Sequence, residues 1–381
     1  MEIYIHVPFC KRKCLYCDFN SYPNCDKELF SCYLTALNHE IELAGKAFET
    51  VEKKRRITSV FIGGGTPSLL DKDDINCILQ NVKNHFEIED GAEITIEANP
   101  ESLTEEKLSA YKGAGINRLS IGVQSLYDDN LQAIGRIHDV KTAISAISLA
   151  RKYFENLSCD LMIGLPYDTT ERVQKEIETL APIVDHMSVY QLIVEEGTPL
   201  EKLVESGKVK IPTDDETVDL MHTAVQTLSN FGYVRYEVSN FAKNGKYSRH
   251  NFGYWTREEY IGLGAGASSY LRLVGKGSYG KTDEVRFSSK KSIQEYADSV
   301  MNADDFFAVQ RAEWENLTSI AVNDEKIMLG LRTIKGVEKS ILPKSAYKKY
   351  SKYFVEDGER VHLTDEGFDI MNTILVDLMS F

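Results

Sequence analysis

Three cysteines fall close together near the start of the chain, in the run Tyr4-Ile-His6-Val-Pro8-Phe9-Cys10-Lys-Arg-Lys-Cys14-Leu-Tyr16-Cys17-Asp18-Phe19. The spacing is C-x3-C-x2-C. Thiolates are the ligands that iron–sulfur clusters require, and a short loop can wrap three of them around one cube. Three thiolates for a 4Fe–4S cluster leave one iron without a protein ligand, open to a small chelating molecule. Two other metal readings compete. A structural zinc ion would need a fourth ligand, for which His6 is nearest, yet the paired C-x2-C layout of such sites is missing. A complete four-cysteine cluster would have to recruit Cys25 or Cys32, which sit in a different local context. Cys77 and Cys159 are scattered further on, and the odd total of seven does not read as a disulfide framework.

Further along, Phe61-Ile62-Gly63-Gly64-Gly65-Thr66-Pro67 sets three glycines directly after an apolar run. Glycines there let backbone N–H and C=O groups approach a ligand, although a plain tight turn looks the same. No Gly-Lys-Ser/Thr follows, so this is not a P-loop. Glu97, Gln124 and Asp160 stand at or near the ends of later apolar runs, and Arg136 follows Gly135. Singly, each reads as a surface residue. Together they place acceptors and one cation where a ribose, a ring edge and a carboxylate could be held.

The elements that must position these groups follow from periodicity. Strands are predicted over 3–7, 59–62, 93–98, 118–123, 157–163 and 186–192, and helices over 28–44, 71–85, 104–114, 140–154 and 170–180. Thr104 before Glu105 and Glu106, and Thr170 before Glu171, are helix-starting signals. Alternating strands and helices imply an α/β fold with a parallel sheet, and about six units suggest a partial TIM-type barrel. Loops at the C-terminal ends of barrel strands carry active sites, and the cysteine run lies at one. A further helix is predicted over 214–231 and a strand over 233–238. The stretch 241–280, rich in Gly, Tyr and Ser, reads as a long structured loop. The expected division is a barrel domain over 1–240, a connecting segment over 241–290, and a smaller α-rich, winged-helix-like domain over 291–381.

An apolar fraction of 43% over 381 residues is ample for a large core. The formal charge of −14 disfavours a nucleic-acid footprint, and the basic clusters at 11–13 and 53–56 read as solvated surface. No apolar run is long enough to span a bilayer and the first residues lack a signal-peptide layout, so a cytoplasmic protein is expected.

The cysteine run followed by the glycines resembles the radical-SAM superfamily. That resemblance implies a 4Fe–4S cluster on Cys10, Cys14 and Cys17, with S-adenosylmethionine chelating the open iron and cleaved to a 5′-deoxyadenosyl radical. Tyr4-x-His6-x-Pro8-Phe9-Cys10, the Gly-Gly-Gly-Thr-Pro run, Gly122-Val-Gln124-Ser, Asp160-Leu-Met-Ile-Gly-Leu-Pro and Leu329-Gly-Leu-Arg332-Thr-x-x-Gly336 narrow it to the oxygen-independent coproporphyrinogen oxidase group. The group's motifs imply S-adenosylmethionine contacts at Tyr4, Tyr16, Gly64, Gly65, Thr66, Glu97, Gln124, Arg136 and Asp160. Within the group, the oxidase branch has a further cysteine two residues after the third, and a longer N-terminal extension. Here that position is Phe19 and the chain begins almost at its first strand. The heme-chaperone branch has Asp-Phe and an His-Asn-x-x-Tyr-Trp motif, matched by Asp18-Phe19 and His250-Asn251-Phe-Gly-Tyr254-Trp255. The resemblance therefore implies a protein that carries heme as cargo to heme-accepting proteins, any contact with membrane-bound acceptors being peripheral. The alternative is oxidative decarboxylation of coproporphyrinogen III. A third reading, a tRNA-modifying member, would need a basic surface and an RNA module. His250 is the candidate axial heme ligand, with Arg249 for a propionate. Equally, His250 and Asn251 could simply tie down a loop.

Overall fold

Alternation along each strand decides what meets the helices and what faces inward. In β1 (Glu2–Val7), Ile3, Ile5 and Val7 are fully buried on one face, while Glu2, Tyr4 and His6 alternate with them on the other. The computed structural model describes residues 1–49, 56–274 and 282–379. The basic run 53–56 therefore lies, apart from Arg56, outside the described residues.

Beside β1 lie β2 (Ile57–Gly64), β3 (Ile88–Ala98), β4 (Arg118–Gln124), β5 (Asn156–Ile163) and β6 (His186–Gln191), in sequence order and all parallel. Parallel neighbours need crossovers. These are α1 (Lys27–Glu49), α2 (Lys72–His85), α3 (Glu105–Ala114), α4 (Val140–Ala150) and α5 (Thr170–Leu180). Thr104 caps α3, accepting from the Lys107 N–H at 3.2 Å, and Asp139 caps α4. Thr169, rather than Thr170, caps α5. The apolar strand faces and these helices share one core, running from Ile3 to Val309. The other face of the sheet is polar: Ser59, Thr95, Glu97, Arg118, Ser120, Ser158, Asp160, His186 and Ser188 stand at alternate positions. In a barrel-like sheet that face is the lumen.

After the helix α6 (Asp214–Asn230), the stretch 241–280 is not a loop where it is described. It contains β7 (Asn240–Ala242), antiparallel to β6, and the short helix α7 (Arg249–Trp255). It then returns as β8 (Tyr260–Leu263), parallel to β1 on the side away from β2, with Glu2 opposite Tyr260 and Ile5 opposite Leu263. Antiparallel β9 (Ser268–Val274), β10 (Thr282–Ser288) and β11 (Glu313–Asn316) continue the same sheet. Glycines hid these strands. A side chain at Gly262 would meet the Ser268 carbonyl oxygen at 2.1 Å, so close approach of β9 requires glycine inside β8. The predicted strand 233–238 shrinks to Val234–Arg235 at the sheet edge. Among the described strands the sheet stays open, with β11 at one end and Val234–Arg235 at the other.

A second apolar core, from Ile327 to Leu378, sits in the C-terminal portion. Helix α8 (Ser319–Gly330), further short helices and a small antiparallel sheet of Val337–Glu338, Arg360–Leu363 and Phe354–Asp357 build it.

Candidate metal centre and cofactor pocket

The loop after β1 is held in place before any metal is considered. Phe9 and Cys10 pair with Tyr22 and Pro23 in a short parallel ladder. Arg12 donates through Nη2 to the carbonyls of Gly135 and Arg136, both at 2.8 Å, and Leu15 N–H donates to the Ile134 carbonyl at 3.0 Å. Cys10, Cys14 and Cys17 then line one cavity of about 390 Å³ in the mouth of the lumen, within the range of small-molecule sites.

The residues fit an iron–sulfur cluster. A side chain at Gly65 would stand 3.1 Å from the Cys10 sulfur and 2.7 Å from the Phe9 carbonyl oxygen, so only glycine leaves room beside that thiol. Burial pushes the thiols of Cys10 and Cys17 up, and neighbouring cysteines add to the effect in both. Soft metal ions release such protons on binding. Bound there, a 4Fe–4S cluster would supply single electrons and one open iron corner. His6 does not complete a zinc site. Its Nε2 donates to the Asn20 carbonyl at 2.8 Å, and its Nδ1 accepts from the Tyr4 hydroxyl at 2.8 Å.

Most of the residues implied by the motifs converge on the same cavity. Tyr16, Gly64, Gly65, Thr66, Glu97, Gln124, Arg136 and Asp160 all line it. Tyr4 does not: its hydroxyl is turned to His6 and its ring packs beside Phe61 at 6.3 Å. The Arg136 guanidinium, buried, donates to the Cys14 sulfur at 3.5 Å, to Asn99 Oδ1 at 2.9 Å and to the Gly122 carbonyl at 2.7 Å. Asn99 in turn donates to the Thr66 hydroxyl at 3.1 Å, linking β3 to the glycine loop. Glu97 accepts the Gly64 N–H at 3.1 Å; burial, then the nearby Asp160, raise its pKa to about 7. Burial also raises Asp160, which accepts from the Ser120 hydroxyl at 3.3 Å. Gln124 holds φ +69° where the β4–β5 register shifts, a left-handed backbone that non-glycine residues rarely take.

His250 is elsewhere. It is fully buried in α7, its Nδ1 hydrogen-bonded to Ser59 Oγ and its Nε2 to Tyr254 Oη, each at 2.8 Å, and its ring stacks on Phe61 at 5.1 Å. Burial lowers its pKa to about 3. As an axial heme ligand it has no free nitrogen in this conformation. Arg249 is committed too, donating to the Gly91 carbonyl at 2.6 Å. Of the motif only Asn251 reaches the cavity wall.

Asn99, two residues after Glu97, and Arg118, the first residue of the predicted strand 118–123, are wall residues outside the motif set. The signal for Arg118 was available, since a charged residue opening an apolar strand between helices is out of place unless it faces a lumen.

The Radical SAM superfamily model matches residues 4–180. The chain is 42% identical to the zebrafish (Danio rerio) mitochondrial radical S-adenosyl methionine domain-containing protein 1 over 75% of its length, and spans 63% of that protein. It is 36% identical to the heme chaperone HemW of Bacillus subtilis, covering 88% of this chain and 84% of that protein. A HemW of Haemophilus influenzae is 33% identical over 98% of this chain and 97% of its own. Among solved structures, Escherichia coli coproporphyrinogen III oxidase (HemN) superposes with a TM-score of 0.79 at 20% identity, over 98% of this chain and 89% of that one, a likeness of fold. The chain belongs to the radical-SAM superfamily and, within it, to the HemW family.

Proposed function

We propose that this chain is a heme chaperone: it takes up heme and hands it to acceptor proteins, with the cluster and S-adenosylmethionine in a supporting or gating role. The observation that carries this reading is the similarity to the Bacillus subtilis heme chaperone over 88% of this chain. Phe19 supports it. The position where the oxidase branch has a further cysteine carries an aromatic ring that is 69% exposed at the cavity rim, an apolar platform for a planar ligand.

Within this reading, Cys10, Cys14 and Cys17 hold the cluster. Tyr16, the glycine loop, Glu97, Gln124, Arg136 and Asp160 hold S-adenosylmethionine, and Tyr4 fixes His6, whose ring packs against Gly64. His250 anchors α7 rather than iron. The protein works in the cytoplasm. Among the described residues no helix is long and apolar enough to cross a membrane, so contact with a membrane-bound acceptor would be peripheral. The second apolar core favours a division of the chain near Thr318 over divisions at 240 and 290.

The test incubates the anaerobically reconstituted protein with reductant, S-adenosylmethionine and coproporphyrinogen III, and in parallel mixes the heme-loaded protein with apomyoglobin as a generic acceptor. A chaperone yields no protoporphyrinogen and transfers heme. Turnover of coproporphyrinogen III without heme transfer would move the chain to the oxidase activity.

A further inference from the structure

Arg118 is the anomaly of the lumen. It opens β4, and the inward positions after it, Ser120, Gly122 and Gln124, line the cavity with it. The residue is 2% exposed, and its Nε is buried without a hydrogen-bond partner. A guanidinium cannot shed its charge, so burying one unpaired is among the more unfavourable arrangements a fold can hold. Arg257 and Arg311, whose side chains are buried to a similar degree, also leave Nε without a partner, but each is matched by a carboxylate. Arg257 meets Glu284 at 2.8 Å and Glu325 at 3.0 Å, and Arg311 meets Glu40 at 2.8 Å. Among the described residues Arg118 has no such pair. Glu97 and Asp160 are near enough to feel its charge, yet neither closes on it as an ion pair.

Those two carboxylates are also the acidic groups of the cofactor pocket. Once a bound sulfonium amino acid engages them, Arg118 keeps no counter-charge from the protein. Arg136 stands beside the Cys14 sulfur, at the cluster end of β4, where the cofactor's own carboxylate belongs. Arg118 stands at the opposite end of that strand and lines the same cavity. A planar fork of donors deep in a water-poor site matches a carboxylate in bidentate fashion.

We propose that Arg118 is the receptor for a carboxylate of a second ligand, a propionate-class arm of the tetrapyrrole that reaches past the cofactor into the lumen. This rests on the heme reading above and adds to it which end of the cargo the protein grips.

The test compares wild type, Arg118→Gln and Arg118→Lys, each reconstituted anaerobically. Soret or fluorescence titration is done with heme, heme dimethyl ester and coproporphyrin III, and S-adenosylmethionine binding is measured separately by calorimetry. Wild type should prefer heme to the ester by about thirtyfold or more, as expected for a buried charge pair. Arg118→Gln should bind heme only as well as the ester, while its S-adenosylmethionine affinity changes much less than that, through the lost charge near Glu97 and Asp160 alone. Arg118→Lys keeps the charge without the fork and should recover only part of the preference, an outcome readable even if the glutamine variant fails to fold. An unchanged preference in Arg118→Gln or Arg118→Lys overturns the assignment. So does a loss of S-adenosylmethionine in proportion to heme, which would make Arg118 a cofactor contact. Arg118-dependent binding of coproporphyrin III without heme binding would overturn the heme reading and leave the carboxylate receptor standing. A wild type that binds neither tetrapyrrole overturns both.

Discussion

At the scale of single residues, the cavity is tuned by what burial does to charge. Glu97 is lifted to about 7 by desolvation and Asp160, so half of it is protonated near neutrality. The carboxylate accepts a much stronger hydrogen bond from the cofactor's amino N–H groups than the neutral acid does. The affinity for S-adenosylmethionine should therefore rise about tenfold between about pH 6 and pH 8, following the ionised fraction of Glu97. Calorimetry on the wild type should show that slope, and Glu97→Gln should bind weakly with the slope removed. A wild type whose affinity is flat across that range would contradict the role of Glu97. Gly65 invites a second test. Since an added methyl would press on the Phe9 carbonyl and the Cys10 sulfur, Gly65→Ala should fold yet take up much less iron on reconstitution. Iron and sulfide analysis checks it, and full cluster loading would show that the loop has room to spare. The cysteines and Gly65 were legible in the sequence because thiol spacing and glycine after a strand each carry a direct physical meaning. Arg118 carried a weaker sign: a charge opening an apolar strand is out of place, yet the face it occupies depends on the neighbouring register.

At the scale of elements, the parallel strands and their crossover helices were readable from alternating β-rich and amphipathic runs. What was lost lay where local propensity and tertiary role disagree. β8 pairs along β1 although Gly262 and Gly264 weaken its strand signal, and the inner face of the sheet is polar because it lines a cavity. α7 is the other instance. Its motif marks the family, yet His250 spends both ring nitrogens on Ser59 and Tyr254, and its backbone N–H donates to Glu93 Oε1 at 3.2 Å. Removing the ring leaves two buried hydroxyls and a void. His250→Ala should therefore lower stability by about 2–4 kcal/mol, read as a fall in Tm or in the urea midpoint. The Soret maximum of heme bound to the folded variant should be unchanged. A shifted Soret band at unchanged stability would show instead that α7 opens to release the imidazole to iron.

At the scale of the whole molecule, one sheet spans both sides of β1, and the buried carboxylates along it shape the pH response. Glu2 is 3% exposed, one oxygen lacks a partner, and burial lifts its pKa from 4.5 to about 8. Its stabilising protonated form is fully present below about 4.5 and is lost as pH rises through about 8, because the unfolded chain gives up that proton earlier. Glu176, also lifted to about 8, acts in the same direction. Glu2→Gln should thus gain on the wild type as pH rises, by about 1–3 kcal/mol near pH 8. Thermal unfolding at both ends of that range checks it, and a constant difference would mean the carboxylate is already ionised in the folded protein. The direct trial of the account as a whole is a heme titration of the anaerobically reconstituted protein, followed at the Soret band. Saturable, stoichiometric uptake that persists in the folded His250→Ala variant is the expected result. Absence of saturable uptake in a protein with its cluster fully loaded would contradict it.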